Sequence, residues 1–299
     1  MYKQFKTAAL TAAIIVFGAT GAQAGQITFS ITNDAPANGL WLMRPWVGIS
    51  DGLFTTYTVG VAANSGIKHE AEDGITGDPA NLLPPGNGCS GTNYTGSDCL
   101  YQLFNAYGGS YSQASIGNPT APGATISGTL AADPNSASSR YLSYIAMVIP
   151  SNDGFFGTPT AAPIQLFDNA GNFLGGPGGF TINIFATDVL DAGTEVNNAC
   201  SGSADVAFAC QAVAGTGTAE GGVVHANTTG FAYLAGLSNG FGGHTNTFTA
   251  INDAWVNPTH QIATININFQ ETPEPSTFVL FGLGIGAVVL AARRRAHAA

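Results

Sequence analysis

Two segments near the ends of the chain alternate apolar and polar residues, the period of a strand that buries one face: Gln26–Asn33 (QITFSITN) and Gln261–Phe269 (QIATININF). In the second, Ala263, Ile265, Ile267 and Phe269 share one face, and Ile262, Thr264, Asn266 and Asn268 share the other. The first set is predicted to meet the core. First and last strands often pair in sandwiches, so Gln26–Ser30 is the expected neighbour of this strand. Tyr141–Ile149 (YLSYIAMVI) is apolar on both alternating sets and is predicted to be a central strand. Leu53–Ala62, Ala124–Leu130, Thr181–Ala186 and Gly222–Ala235 are further strand expectations, the first on its Thr, Val, Tyr and Phe content. Leu100, Leu103, Phe104 and Tyr107 fall at helical spacing and predict a short helix after Cys99. Ile67–Asp73 carries Lys68, His69, Glu70, Glu72 and Asp73, and reads as a short helix or a polar loop. About eight strands with frequent turns, and no long helix between the termini, predict an all-β fold: an antiparallel β-sandwich with loop insertions.

The two ends carry a different pattern. Lys3 and Lys6 precede an apolar stretch, Ala8–Ala19, and Ala22-Gln23-Ala24 places small side chains before Gly25. That is a secretory signal peptide, with cleavage expected between Ala24 and Gly25. At the other end, Pro273-Glu274-Pro275 leads through Ser276 and Thr277 into an apolar run, Phe278–Ala292, closed by Arg293, Arg294 and Arg295. The prolines hold the chain extended and open to a protease. As a helix the run reaches roughly 22 Å, a marginal transmembrane span against a ~30 Å hydrocarbon core. The arginines stay on the cytoplasmic side. These residues closely resemble the PEP-CTERM sorting signal of Gram-negative bacteria. The resemblance implies an exosortase-type processing enzyme as partner, which cuts near Pro273-Glu274-Pro275. It also implies a transient stay in the inner membrane, then release to the cell surface or to an extracellular matrix of exopolysaccharide, the material of biofilms. The expected organisation is 1–24 signal peptide, 25–272 one domain and 273–299 sorting signal.

Charge narrows the choice of partner. Of eight Lys and Arg in the chain, only Arg44, Lys68 and Arg140 lie between 25 and 272, whereas all of the eighteen Asp and Glu except Glu274 do. Nucleic acid is excluded as a partner, because phosphate contacts need Lys and Arg. An acidic excess fits solubility outside the cell or the binding of divalent cations. The four cysteines, Cys89, Cys99, Cys200 and Cys210, fall into two local pairs. In an oxidising compartment two local disulfides are the simplest expectation among three connectivities. A zinc site is the alternative, although zinc favours tighter spacing.

The middle of the chain carries the most specific pattern. Val148-Ile149-Pro150-Ser151-Asn152-Asp153-Gly154-Phe155-Phe156-Gly157 is a strand running into a polar turn. Downstream come Asp188-Val189-Leu190-Asp191-Ala192-Gly193-Thr194-Glu195-Val196-Asn197, then Val224-His225, then Asp253-Ala254-Trp255-Val256-Asn257-Pro258. In this order the segments resemble the bacterial branch of spondin-type extracellular domains, over roughly residues 26–269. Segments 84–119 and 199–221, each holding a cysteine pair, look inserted relative to that pattern. The resemblance implies a C2-like β-sandwich, an adhesive and matrix-associated role, and a divalent cation among loops at one end. Asp153, Asp191 and Glu195 supply hard oxygen atoms on turns that follow strands, with Asp188 and Asn152 as supplements, and such oxygens suit calcium. Plain turn chemistry is the competing account of the same residues, since Asp and Asn near Gly cap turns without any metal.

No enzyme signature emerges. Glu70, Glu72 and Asp73 could act as paired carboxylates on a polysaccharide, but nothing sets a second carboxylate opposite them, and a solvated acidic face is the simpler reading. The histidines form no ligand pair, and no nucleophile elbow occurs. Trp41 and Trp46 could stack on sugars, yet core packing is the commoner fate. The expectation is a secreted, non-enzymatic adhesion or matrix protein, possible calcium binding included. An exopolysaccharide-binding or exopolysaccharide-degrading protein is the alternative.

Overall fold

The computed structural model describes residues 25–80 apart from Asn38, 98–197, 217–228, 231, 238–239, 246–247, 260–272 and 284–285. The signal peptide, the sorting segment apart from 284–285, and Cys89, Cys200 and Cys210 lie outside the described residues. Residues Ala24–Pro273 form one compact unit by themselves. Among the described residues no helix is long and apolar enough to cross a membrane.

In chain order the strands are β1 (Gly25–Asn33), β2 (Trp41–Leu42), β3 (Trp46–Ser50), β4 (Ser110–Ser115), β5 (Thr125–Ala132), β6 (Tyr141–Ile149) and β7 (Gly154–Gly157). They continue with β8 (Ile164–Gln165), β9 (Phe180–Phe185), β10 (Leu190–Asp191), β11 (His225–Ala226), β12 (Ser238–Asn239), β13 (Asn246–Thr247) and β14 (Gln261–Glu271). Two helices, α1 (Ser65–Asp73) and α2 (Leu100–Ala106), interrupt the series. Every strand pairing is antiparallel.

One sheet has the order β5-β1-β14-β9, and a larger sheet runs β11-β10-β7-β6-β3-β4, with β2 and β8 also on β6. First and last strands pair as expected, with Phe29 opposite Ile267 and Ile31 opposite Ile265. The alternation explains why: Ile27, Phe29, Ile31, Ala263, Ile265 and Ile267 are buried to the last percent, while Asn268 faces water. They meet Val47, Ile49, Leu142, Tyr144, Ala146, Val148 and Phe156 from the larger sheet in one core. Each such side chain contributes about 1.5–3 kcal/mol on burial. This is a sandwich of open sheets.

β6 is apolar on both faces because both are covered. Its Ile145 turns away from the sandwich core, toward Trp46, Ile67, Ala71, Leu100, Phe104 and Phe155, a second cluster under α1 and α2. α1 starts where the Asn64 side chain accepts the Ile67 amide at 2.9 Å and stops at Gly74, whose φ of 63° is left-handed.

Several expectations are corrected. Leu53–Ala62 forms no strand but an irregular loop: Phe54 and Tyr57 pack on Trp46 and Phe155 of the larger sheet, while Leu53, Val59 and Val61 are exposed. Gly222–Ala235 yields only the two residues of β11 among those described. Ile67–Asp73 is a helix, and its acidic residues are not a solvated face: Glu70, Glu72 and Asp73 are all buried. The stretch 84–119, read as inserted, supplies α2 and β4, the latter paired with β3. Trp46 is core, its indole N–H donating to Gln113 Oε1 at 2.7 Å.

Candidate cation centre

After β6 the chain turns through Ser151, Asn152 and Asp153, all buried. The Ser151 hydroxyl holds this turn, donating to the Val148 carbonyl at 2.6 Å and accepting the Gly154 amide at 2.9 Å. Asp153 is thereby fixed at the head of β7. Its Oδ2 accepts the Thr194 amide at 2.7 Å, the Glu195 amide at 3.0 Å and the Thr194 hydroxyl at 3.2 Å. Its Oδ1 is also buried and meets no donor.

β10 lies beside β7, with Asp191 opposite Gly154, and β11 beside β10, with His225 opposite Asp191. Asp191 Oδ1 accepts the Gly193 amide at 2.8 Å, and Oδ2 accepts the Asn197 side-chain amide at 2.5 Å. His225 Nε2 stands 3.5 Å from Asp191 Oδ1. Gly193, at φ 66°, turns the chain so that its carbonyl accepts the Gly222 amide at 2.7 Å. The Glu220 amide then reaches the Thr194 carbonyl at 3.1 Å. Those bonds deliver Glu220. One carboxylate oxygen each from Asp153, Asp191 and Glu220 lies within 4.8 Å of the others.

The electrostatics are those of a site short of positive charge. Burial, and then the Asp191 carboxylate, push the Asp153 carboxyl up to about 7, although the Thr194 and Glu195 donors pull the other way. His225 is raised by its contact with the Ala226 carbonyl and by Asp191, Glu220 and Asp153, against some desolvation. No described Lys or Arg is drawn in. Lys68 pairs with Glu72, Arg140 bonds Asn169, and Arg44 sits near Glu70 and Asp78. A buried carboxylate that has one oxygen without a donor and two further carboxylates close by fits a hard divalent cation that takes oxygen ligands.

Of the residues expected from the sequence, Asp153 and Asp191 come together. Glu195 gives the centre its main-chain N–H, while its carboxylate lies against Gly217, where any Cβ would collide with it. Asp188 is exposed and elsewhere: it accepts the Phe185 amide at 2.8 Å and closes a turn. Asn152 is buried next to Asp153 in the chain. Glu220 was not expected. It sits in the stretch read as inserted, and only the Gly221-Gly222 turn before Val223-Val224-His225 hints at a return to the sheet. Cys99 is buried and disulfide-bonded; the pairing expected of the four cysteines falls on residues outside those described.

Glu70 cannot meet a substrate. It is entirely buried, neither carboxyl oxygen has a hydrogen bond of good geometry, and burial raises it well above the usual range against the pull of Arg44 and the Met147 main chain.

Fold and centre thus define an open antiparallel sandwich with an acidic cluster where β7, β10 and β11 meet. Residues 271–295 match the family described as the PEP-CTERM protein-sorting motif. The motif marks the chain for sorting by an exosortase system to the cell surface or extracellular space. No curated protein matches the chain.

Proposed function

We propose that the exported domain is a non-enzymatic adhesion module of spondin type, held in the extracellular matrix and stabilised by one calcium ion at Asp153, Asp191 and Glu220. The observation that carries the cation is the Asp153 carboxylate: its Oδ1 is buried without a donor, and one of its oxygens lies within 4.8 Å of an oxygen from Asp191 and from Glu220. Calcium takes six to eight oxygens, so carbonyls and water complete the shell. Export supports the assignment, because extracellular modules bind calcium at roughly 10⁻⁴–10⁻³ M, a range that free calcium outside cells can fill. The exposed Glu220 leaves one side of the ion open to solvent and to a partner. The matrix partner, polysaccharide or protein, follows from the sorting context. Burial of Glu70 argues against a glycosidase.

The test is thermal unfolding of residues 25–272 with calcium and with chelator. Calcium at a hundred times its dissociation constant adds about 2.7 kcal/mol, and Asp191→Asn removes that gain. An unchanged midpoint would leave Asp153, Asp191 and Glu220 as turn residues.

A further inference from the structure

β9 ends the four-stranded sheet, so one of its edges is unpaired among the described residues. The direction of its amides follows from its C-terminal end. The Ala186 amide donates to the His260 carbonyl, on the β14 side, at 2.9 Å. The Phe185 amide turns the other way, to the Asp188 carboxylate. Strand alternation then points the Thr181 and Asn183 amides outward as well. Both residues are exposed. An edge strand is ordinarily blunted by Lys, Pro or a bulge. Phe180-Thr181-Ile182-Asn183-Ile184-Phe185 has no charge and no proline, and the shift of register in its pairing sits at the Gln261 end.

This edge borders a cleft of about 500 Å³ between the two sheets, where β9 faces Phe156, Gly157 and Leu190 of the larger sheet. The walls are mostly apolar. Asp188 is the one carboxylate among the lining residues, and no Lys or Arg is among them. The cleft is separate from the cation centre: β10 turns Leu190 to it, while Asp191 belongs to the carboxylate cluster.

We infer that this edge is a strand-addition site for an extended segment of a partner protein that carries alternating apolar residues and one Lys or Arg. Strand addition takes its affinity from main-chain hydrogen bonds and its selectivity from pockets for alternate side chains. Thr181 and Asn183 offer the main-chain groups, Ile182, Phe156 and Leu190 the apolar wall, and Asp188 the counter-charge. Charge decides between occupants. A cationic segment is complementary to Asp188 and to a chain of formal net charge −10, which steers it toward the domain. A second copy brings a second Asp188 and the same acidic surface, so self-pairing is disfavoured.

The probe is a labelled, capped nonapeptide of alternating Val and Thr with one central Lys, titrated into residues 25–272 and read by fluorescence anisotropy. The expected result is saturable binding that slows hydrogen exchange at the Thr181 and Asn183 amides. Asn183→Pro, which removes an outward N–H and leaves the β14 ladder intact, weakens it about tenfold, as the loss of one or two such bonds does. N-methylation of the peptide's strand-facing amides does the same with the protein unaltered, so misfolding of a variant cannot account for the loss. Asp188→Asn, which keeps an acceptor for Phe185, weakens the Lys peptide and leaves a Gln peptide unchanged. Failure of the Lys peptide to bind, or binding that ignores both N-methylation and Asn183→Pro, overturns the inference. A dimer in sedimentation that Asn183→Pro dissolves would assign the edge to a second copy. Neutral oligosaccharide binding that survives Asn183→Pro would assign the cleft to sugar.

Discussion

Replacing Asp153 with Asn should raise stability without calcium and abolish the gain from calcium. The carboxyl ordinarily titrates near 3.8 and is pushed to about 7 here. At about 1.36 kcal/mol per pH unit, keeping it ionised at pH 8 costs the folded state on the order of 4 kcal/mol. Water on the exposed Glu220 side screens part of this, leaving about 1–3 kcal/mol to recover. Asparagine keeps an oxygen for Thr194 and Glu195, and replaces the donorless Oδ1 with an N–H₂ beside the Asp191 and Glu220 carboxylates. For a domain of this size 1 kcal/mol moves the midpoint by about 2–4 °C. With chelator at pH 8, Asp153→Asn should therefore melt about 3–8 °C above the parent, read by circular dichroism. With calcium at a hundred times its dissociation constant the parent gains about 5–10 °C and the variant gains nothing. The two curves converge, and their order inverts wherever that gain exceeds the stability the substitution recovers. An Asp153→Asn domain that melts below the parent in chelator would refute the reasoning, since it would show that Asp153 acts as a satisfied turn carboxylate and not as a strained ligand.

pH should act on the cation-free domain through the same groups. A folded-state Asp pKa above the ordinary value stabilises below about 4 and loses that contribution as pH rises through about 7. His225, also raised, stabilises below its ordinary 6.5 and loses the contribution as pH passes its folded value. The midpoint in chelator should thus fall between about pH 5 and pH 8, and the gain from calcium should be larger at pH 8; a gain that is largest at pH 5 would contradict this. Asp188→Asn, away from the centre, should leave the calcium response within error of the parent in the same melt. Gly74→Ala should cost about 2 kcal/mol in denaturant unfolding, because φ 63° strains any Cβ and the Met43 side chain already fills the space. Ile265→Ala, at the centre of the sandwich core, should cost about 2–5 kcal/mol in the same assay.

The sandwich was legible where burial is one-sided. β1 and β14 each show a period of two because water covers one face, and their pairing follows from shared apolar positions. β6 was legible through the opposite signal, an apolar run without period, because the helices cover its second face. α2 showed its helical spacing for the same reason, with Leu100 and Phe104 buried. Leu53–Ala62 misled because strand propensity describes fit to a pleated, half-buried surface, whereas this loop anchors only Phe54 and Tyr57 on the sheet and joins no ladder. The acidic residues of α1 misled in the other direction: Glu70 and Asp73 look solvated in sequence, and only tertiary packing buries them, Glu70 near Arg44 and the Met147 main chain. In the cation centre, Asp153 and Asp191 could be read from their turns. Glu195 and Asp188 could not be sorted, because one residue's difference in a turn decides which carboxylate faces inward. Glu220 was hidden because the Gly193–Gly222 bond that places it joins segments far apart in the chain.

The most direct measurement is a calorimetric titration of calcium into residues 25–272 at pH 8, beside the Asp153→Asn and Asp191→Asn variants. The account predicts one ion per chain, with a dissociation constant of about 10⁻⁴–10⁻³ M, and no binding to either variant. Absence of binding to the parent at millimolar calcium, or equal binding to all three proteins, would contradict it.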